Sequence, residues 1–530
     1  MKFPFALTAA LAAFSPLSAF AAPGDLDTTF ADGKGFTITN AGPSYPYAAS
    51  VVTQSNGKIV AAGTLEGQFS VLRYNANGTL DTTFGGTGLV AVNPPSGFSD
   101  NASAAAVQSD GAIVVAGKTS DGPFGNGNLL VMRFLADGML DTTFDGDGRV
   151  ETDVLTGMED YTTAVAIQTD GKILVLGYSY QNSAPYQDVT LVRYKTDGTL
   201  DSTFGTGGKA FIDFGGYDSS TVLILQGDKI LVAGSSNGNS IGFHTALARY
   251  NSDGTPDTTF GEMSNGQATF AAVSDVFTSN DSDFGMAVQP DGKIVLSGLT
   301  SDSGAHTQGF LLERYNADGT LDTAFGTEGI AVEDVGGAYG SPASVMSDSS
   351  GRLLVAGNFD NITNKSFLLL RYNADGTRDT TFGVGGKVTL GTGGTDDTLA
   401  NATLQADGKL VVFGTATDTS DPMMPVGFLL ARYKTELDAP ASNKAPVVKV
   451  TGSSKITTTA SSVTIKGTAS DDSNVAKVLV SGKPAKGTAS WSYKAKLKKV
   501  GKSKFTITAT DDKGLLSAPV TVIVTRKAAR

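Results

Sequence analysis

The chain has 530 residues, 40% of them hydrophobic, a formal net charge of −12 and no cysteine. This composition suits a globular core and excludes a disordered polymer, a disulfide framework, thiolate metal sites and cysteine nucleophiles. With His244 and His306 as its two histidines, a histidine-rich zinc site within one subunit is excluded as well.

In chain order, Met1–Ala21 has a lysine at Lys2, an apolar run through Phe5–Leu17 and small residues at Ala19 and Ala21. It reads as a secretory signal peptide (residues 1–21) cleaved after Ala21, because the run is short and broken by proline. A buried N-terminal helix is the other reading, opposed by Pro4 and Pro16. No second apolar stretch reaches about 18 residues. The expectation is a secreted protein, extracellular, at the cell surface or in the periplasm, with no membrane span.

The next 400 residues are a tandem array. The stretch R-Y-N-A-D-G-T-R-D-T-T-F-G (Arg371–Gly383) recurs with small changes from Arg73, Arg133, Arg193, Arg249 and Arg314, at spacings of about 54 to 65 residues between equivalent aspartates. In the third unit, Ala164–Ile167 leads through Gln168-Thr169-Asp170-Gly171 into Lys172–Gly177, two β-rich runs joined by a tight Asp-Gly turn. A third run, Val189–Tyr194, and a fourth, Lys209–Asp213, follow. Four strands per unit is the content of one propeller blade. The seventh unit stops at Arg432-Tyr433-Lys434, while Leu26–Phe30 and Phe36–Thr39 supply its missing half at the other end. A split repeat of this kind predicts an all-β fold: a seven-bladed β-propeller (residues 22–434) closed by an N-terminal strand.

The runs Q-P-D-G-K-I-V-L-S-G (Gln289–Gly298) and R-Y-N-A-D-G-T-L-D-T-A-F-G (Arg314–Gly326) resemble the delta-60 repeat family of secreted bacterial proteins, over about Gly24 to Lys434. The resemblance implies a repeat array and a propeller, and no activity. Asp348, Ser350, Gly227-Asp228, Pro256 and Arg378 depart from the pattern and weaken single turns.

Every unit holds an arginine at the end of its third strand and an aspartate eight residues on: Arg73/Asp81, Arg133/Asp141, Arg193/Asp201, Arg249/Asp257, Arg314/Asp322 and Arg371/Asp379, with Arg432 left for Asp27. A recurring guanidinium–carboxylate bridge is expected. The aspartates and loops such as Asp145-Gly146-Asp147-Gly148 also offer the hard oxygens calcium takes, but no loop has the full calcium-loop spacing. Turn chemistry is preferred; no metal ligand is assigned, no cofactor is expected, and calcium is the alternative. Phe30, Phe84, Phe144, Phe204, Phe260, Phe325 and Phe382 are read as packing between blades.

Strand order puts the near-constant turns at one end and the variable loops at the other, where binding usually resides. The variable face carries Asp160, Tyr161, Tyr178, Tyr180, Tyr186, Asp188 and Asp283, rings and carboxylates suited to a sugar, a cationic group or a calcium-bridged polymer. A solvated acidic surface with incidental tyrosines is the competing reading. No catalytic residue is assigned: there is no G-x-S-x-G elbow, H-E-x-x-H helix or phosphate loop. A carboxylate pair acting on a glycoside is the enzymatic alternative.

After a linker at residues 435–445, the segment 446–530 changes sign. From Lys444 onward there are 17 basic and 4 acidic residues, a net of +13, against −25 for the rest. Alternation at Val463/Ile465, Val478/Val480, Trp491/Tyr493/Ala495 and Val520/Val522/Val524 suggests a β-sandwich, similar to bacterial immunoglobulin-like modules. Lys494, Lys496 and Lys498 read either as guards of a strand edge or as an attachment point for an anionic polymer. The expected function is a non-catalytic binding or scaffolding protein, with a cell-surface polymer or another protein as partner and no nucleic acid. A secreted polysaccharide-active enzyme, a glycoside hydrolase or lyase, is the alternative.

Overall fold

The computed structural model describes residues 22–40, 46–93, 99–120, 122, 127–180, 187–214, 218–236, 244–261, 267–269, 285–302, 307–333, 339–360, 365–390, 397–416, 427–436, 446–470, 475–511 and 516–529. These form two units, Met1–Leu437 and Asp438–Arg530. Among the described residues the only helical element is a short 3₁₀ turn at Ala31–Gly33, and no helix is long and apolar enough to cross a membrane.

The first unit holds seven four-stranded antiparallel sheets. Six are continuous in sequence; the third, for example, runs Asp160–Ile167, Ile173–Tyr180, Gln187–Tyr194 and Lys209–Ile212. The seventh joins the chain ends: Phe36–Thr39 pairs with Gly427–Tyr433, Phe36 opposite Ala431 and Thr39 opposite Phe428. The first strands of successive sheets adjoin one another, and Tyr47–Thr53 of the first sheet also adjoins Thr398–Leu404 of the seventh. Second and third strands such as Ile59–Leu65 and Gln68–Tyr74 are buried on both faces, as sheets sandwiched between neighbours require.

A bulge in the first strand recurs in six sheets, between Ala48/Ser50, Ala102/Ala104, Thr162/Ala164, Ser220/Val222, Pro342/Ser344 and Leu399/Asn401. Each faces a second-strand glycine. A Cβ on Gly177 would lie 1.9 Å from the Tyr161 carbonyl oxygen, and one on Gly414 1.9 Å from that of Thr398. This close approach explains the glycine that ends the second apolar run of the repeat.

At the constant end, one four-part device is repeated around the unit. Nε of Arg73 lies 2.7 Å from Asp81, with equivalent distances of 2.8 Å for Arg133/Asp141, 2.9 Å for Arg193/Asp201, 2.8 Å for Arg249/Asp257, 2.7 Å for Arg314/Asp322, 2.8 Å for Arg371/Asp379 and 2.9 Å for Arg432/Asp27. The guanidinium stacks on the phenylalanine of its own repeat, 4.7 Å from Phe84 to Arg73 and 4.5 Å from Phe30 to Arg432. It then donates to a carbonyl of the next sheet: Arg73 to Ala136, Arg249 to Ala317 at 2.7 Å, and Arg432 to Ala76 at 2.6 Å. The phenylalanine lies under the turn glycine of that next sheet, Phe84 under Gly138 and Phe30 under Gly78. The interface thus combines charge pairing, a carbonyl acceptor for the guanidinium and close packing of ring on glycine.

In the second unit, Val447–Val450, Ser462–Ser470 and Ser490–Lys496 form a three-stranded sheet. Lys455–Thr458, Val520–Arg526, Gly501–Asp511, Val475–Val480 and Lys483–Pro484 form a five-stranded one, with one parallel pair between Lys455–Thr458 and Val520–Arg526. Val448, Ile465, Trp491, Val478, Ile507 and Val522 meet in a single core.

Candidate functional site

The repeated aspartates do not suit calcium. Asp81 accepts from Arg73 and from Lys58 Nζ at 2.6 Å on one oxygen, and from the Thr83 hydroxyl at 2.7 Å and its N–H at 3.2 Å on the other. Burial acts to raise its pKa, yet these donors hold the carboxyl well below the usual range. A cation site already filled by guanidinium and ammonium groups would repel a divalent ion. The second cation recurs at Lys172/Asp201, Lys229/Asp257, Lys293/Asp322 and Lys409/Asp27. Sequence reasoning missed these lysines, although each follows directly on the turn between the first and second strands.

At the variable end the bulges shape a central channel. The extra residues are small, and Ala49, Ser103, Thr163, Ala343 and Ala400 line two cavities of about 470 and 380 Å³. The inner one is bounded by first strands of all seven sheets. The outer one, the mouth, shares Tyr47 with it and adds Tyr161, Tyr178, Asn358, Thr398 and Thr415. Tyr47 is 65% exposed, the aromatic ring most available to a ligand there. The Thr398 and Thr415 hydroxyls lie 2.7 Å apart. Asn358 is engaged across sheets, accepting from Leu399 N–H at 2.6 Å and donating to its carbonyl at 3.0 Å.

The structure brings together three of the seven loop-face residues marked in the sequence. The Tyr161 and Tyr178 rings stack with centroids 4.9 Å apart, and Tyr180 meets both edge-on, at 5.8 and 6.0 Å. Lys118 Nζ sits 3.9 Å over the Tyr161 ring and pairs with Glu159. Tyr161 is thus sandwiched. Burial and the Glu159 carboxylate beside it push its hydroxyl far up, while burial pushes Tyr178 up to about 12. Burial would also raise Glu159, but the Lys118 ammonium and Tyr161 hydroxyl hold it below its ordinary value.

Asp160 and Asp188 are not presented to solvent as a binding surface needs. Asp160 is buried and clamps its loop, accepting from Val154 N–H at 2.7 Å and from the Ser179 hydroxyl at 2.6 Å. Its pKa is raised by burial. Asp100, Asp218 and Asp397 are buried at the same place in their sheets. Asp100 meets Arg149 at 3.0 Å, and Asp218 accepts from Phe214 N–H at 2.6 Å. The signal was present in sequence: each lies eight residues before the glutamine of the next turn, Gln108, Gln168, Gln226 and Gln405. Tyr186 and Asp283 lie outside the described residues.

Asp188 belongs to a separate group. Its carboxylate, that of exposed Asp213 and that of buried Asp218 offer oxygens within 4.8 Å of one another. Burial, with Asp213 and Asp188 adding to it, pushes Asp218 up to about 6.

No curated protein matches the chain. Among solved structures, it is similar to a protein of unknown function from Dyadobacter fermentans, at 13% identity over 76% of this chain and 98% of that one, TM-score 0.39. An ulvan lyase of a polysaccharide lyase family, bound to a GlcA–Rha3S saccharide, is similar at 12% identity over 76% and 96%, TM-score 0.45. The fibronectin(III)-like modules of Clostridium thermocellum CbhA are similar at 29% identity over 16% of this chain and 100% of theirs, TM-score 0.14. Residues 54–84, 108–144, 168–204, 226–260, 289–325 and 349–382 match the family described as a domain of unknown function (DUF5122) beta-propeller. Six segments of this chain, one in each of its first six sheets and each running from the first hairpin to the repeated phenylalanine, are thus similar to the DUF5122 beta-propeller repeat.

Proposed function

We propose that the protein is an exported, non-catalytic binding protein whose seven sheets are the blades of one closed propeller, and that its ligand enters the channel mouth at the variable end. The second unit is an immunoglobulin-like module that spaces or anchors the propeller at the cell surface. One observation carries the binding reading. The mouth is lined by tyrosines, threonines and alanines with Ser103, Asn358, Pro46 and Leu399, and among the described residues no carboxylate, imidazole or lysine lines it. A lining of aromatic faces and hydroxyls suits a neutral, hydroxyl-rich ligand such as an oligosaccharide, and supplies no acid–base pair. Asp160, one of the acidic residues expected on this face, is drawn into its loop, where it holds the Val154 N–H.

The test is binding of neutral oligosaccharides to the secreted chain by calorimetry, with Tyr47→Ala and Tyr178→Ala. Loss of binding in both variants with unchanged melting supports the mouth as the site; undiminished binding refutes it. Export is checked by N-terminal sequencing of the secreted protein, expected to begin at Ala22.

The enzymatic reading has one observation in its favour. Asp218, pushed up by burial to about 6, lies beside the Asp213 carboxylate, and a carboxyl that holds its proton next to a second carboxylate is a starting point for acid–base chemistry. Asp218 is wholly buried, however, and contacts no solvent from which a substrate could approach. Turnover of a polysaccharide that is abolished by Asp213→Asn would reverse this ranking.

A further inference from the structure

We propose that the outer face of the three-stranded sheet in the C-terminal unit docks a linear acidic polysaccharide. Its strands alternate: Val448, Ile465, Ala469, Trp491 and Ala495 turn into the core, while Lys449, Lys466, Lys494 and Lys496 are exposed on the other side. Strand pairing orders the four. Along the central strand, Lys449 stands opposite Thr468, Lys466 opposite Ser492, Lys494 opposite Thr464 and Lys496 opposite Ser462. Lys449, Lys466 and Lys494 therefore form a diagonal across three strands, with neighbours about 7–8 Å apart. None of the four pairs with a carboxylate among the described residues.

The layout selects the partner. Protection of strand edges accounts for Lys494 and Lys496, which lie on an edge strand. It does not account for Lys466, which lies on the central one. Cations spaced in a row cannot converge on one small anion, as a phosphate site requires. They match charges repeated along an extended chain, and Thr464, Thr468, Ser490 and Ser492 supply short hydroxyl side chains between them. The rings of this sheet, Trp491 and Tyr493, are on the inward side, so the face has no platform on which bases could stack. Its single exposed apolar residue is Val447 at the start of an edge strand, too little to enter a bilayer.

The experiment uses the full secreted chain on immobilised polygalacturonate, with neutral dextran, phosphatidylglycerol vesicles and poly(dT) as competitors. Retention is expected at low salt and is lost at about 1 M NaCl, where the screening length is about 3 Å. A cation beside an anionic surface is worth about fivefold, so Lys466→Gln with Lys494→Gln weakens retention about twenty-fivefold. Arginine at both positions restores it. Lys477→Gln with Lys504→Gln, on the other sheet, leaves it unchanged. The proposal is overturned by no retention at low salt, by full retention in the Lys466/Lys494 variant, by an equal loss in the Lys477/Lys504 variant, or by stronger competition from vesicles or poly(dT) than from free polygalacturonate. Tyr47 and Tyr178 are untouched throughout, so failure here leaves the channel-mouth reading standing.

Discussion

Replacing Asp27 by asparagine removes one charge from the contact that joins the two ends of the first unit. Asp27 is 0% exposed, and its partner Arg432, 405 residues away, is nearly buried as well. The carboxylate takes Arg432 Nε at 2.9 Å, Lys409 Nζ at 3.1 Å, and the Thr29 hydroxyl and N–H at 2.7 and 3.0 Å. Burial alone would raise its pKa; Thr29, Lys409 and Arg432 together lower it from 3.8 to about 2. That shift corresponds to roughly 2–3 kcal/mol of stability. Leaving a buried partner unpaired costs about 3–5 kcal/mol. Arg432 keeps the Ala76 carbonyl and the Phe30 ring, so a loss of about 2–4 kcal/mol is expected at neutral pH. Because the folded-state pKa is depressed, this stabilisation is present above pH ~4 and disappears as pH falls towards about 2. The difference between wild type and Asp27→Asn must shrink over that range. Urea unfolding should be followed by two probes, since the sole tryptophan, Trp491, lies in the other unit. Far-UV circular dichroism should show the transition of the first unit moved, and Trp491 fluorescence should not move. A loss below about 1 kcal/mol, the value of an exposed pair, or a difference insensitive to acid would refute the reasoning.

Deleting Pro23–Asn40 removes both Asp27 and the strand paired with Gly427–Tyr433; the first unit should melt well below wild type in calorimetry, and an unchanged melting temperature would rule out closure by the N-terminal strand. Asp218→Asn should stabilise at pH 8 by about 1–3 kcal/mol and have no effect near pH 4. The native carboxyl, pushed up to about 6, binds its proton more tightly than in the unfolded chain, so wild-type stability falls as pH rises from about 4 to 6; a variant less stable at pH 8 would contradict this. Gly177→Ala places a methyl 1.9 Å from the Tyr161 carbonyl oxygen, so it should destabilise by several kcal/mol, on the order of an overpacked core position, and change the near-ultraviolet dichroism of the stacked tyrosines. Native stability with an unaltered tyrosine signal would show that the bulge relaxes freely.

Much of the repeat was legible because it is local. A hairpin turn shows itself in Asp-Gly, a strand in its apolar run, and a bridge across one turn in the constant interval between Arg73 and Asp81. What was not legible depends on neighbours. Lys58 reaches Asp81 from the turn before the second strand, and the Arg73 guanidinium ends on a carbonyl of the following sheet. In sequence Asp160 reads as a carboxylate among tyrosines on a variable loop, suited to a ligand; its loop folds over it, and two hydrogen bonds replace the water. Nothing in the segments around Tyr47, Thr398 and Thr415 distinguishes them in the sequence; contact between sheets puts them together.

By itself the sequence determined the strands, their grouping into repeats, the sharing of the last repeat between the chain ends and the change of charge at the second unit, all of which follow from spacing along the chain. Only the tertiary structure decided which small bulged residues face the channel, which tyrosines stack and that four lysines share one sheet face. Those outcomes depend on strand register and on contacts between sheets, where residues far apart in sequence meet and a shift of one position would send each side chain to the opposite face.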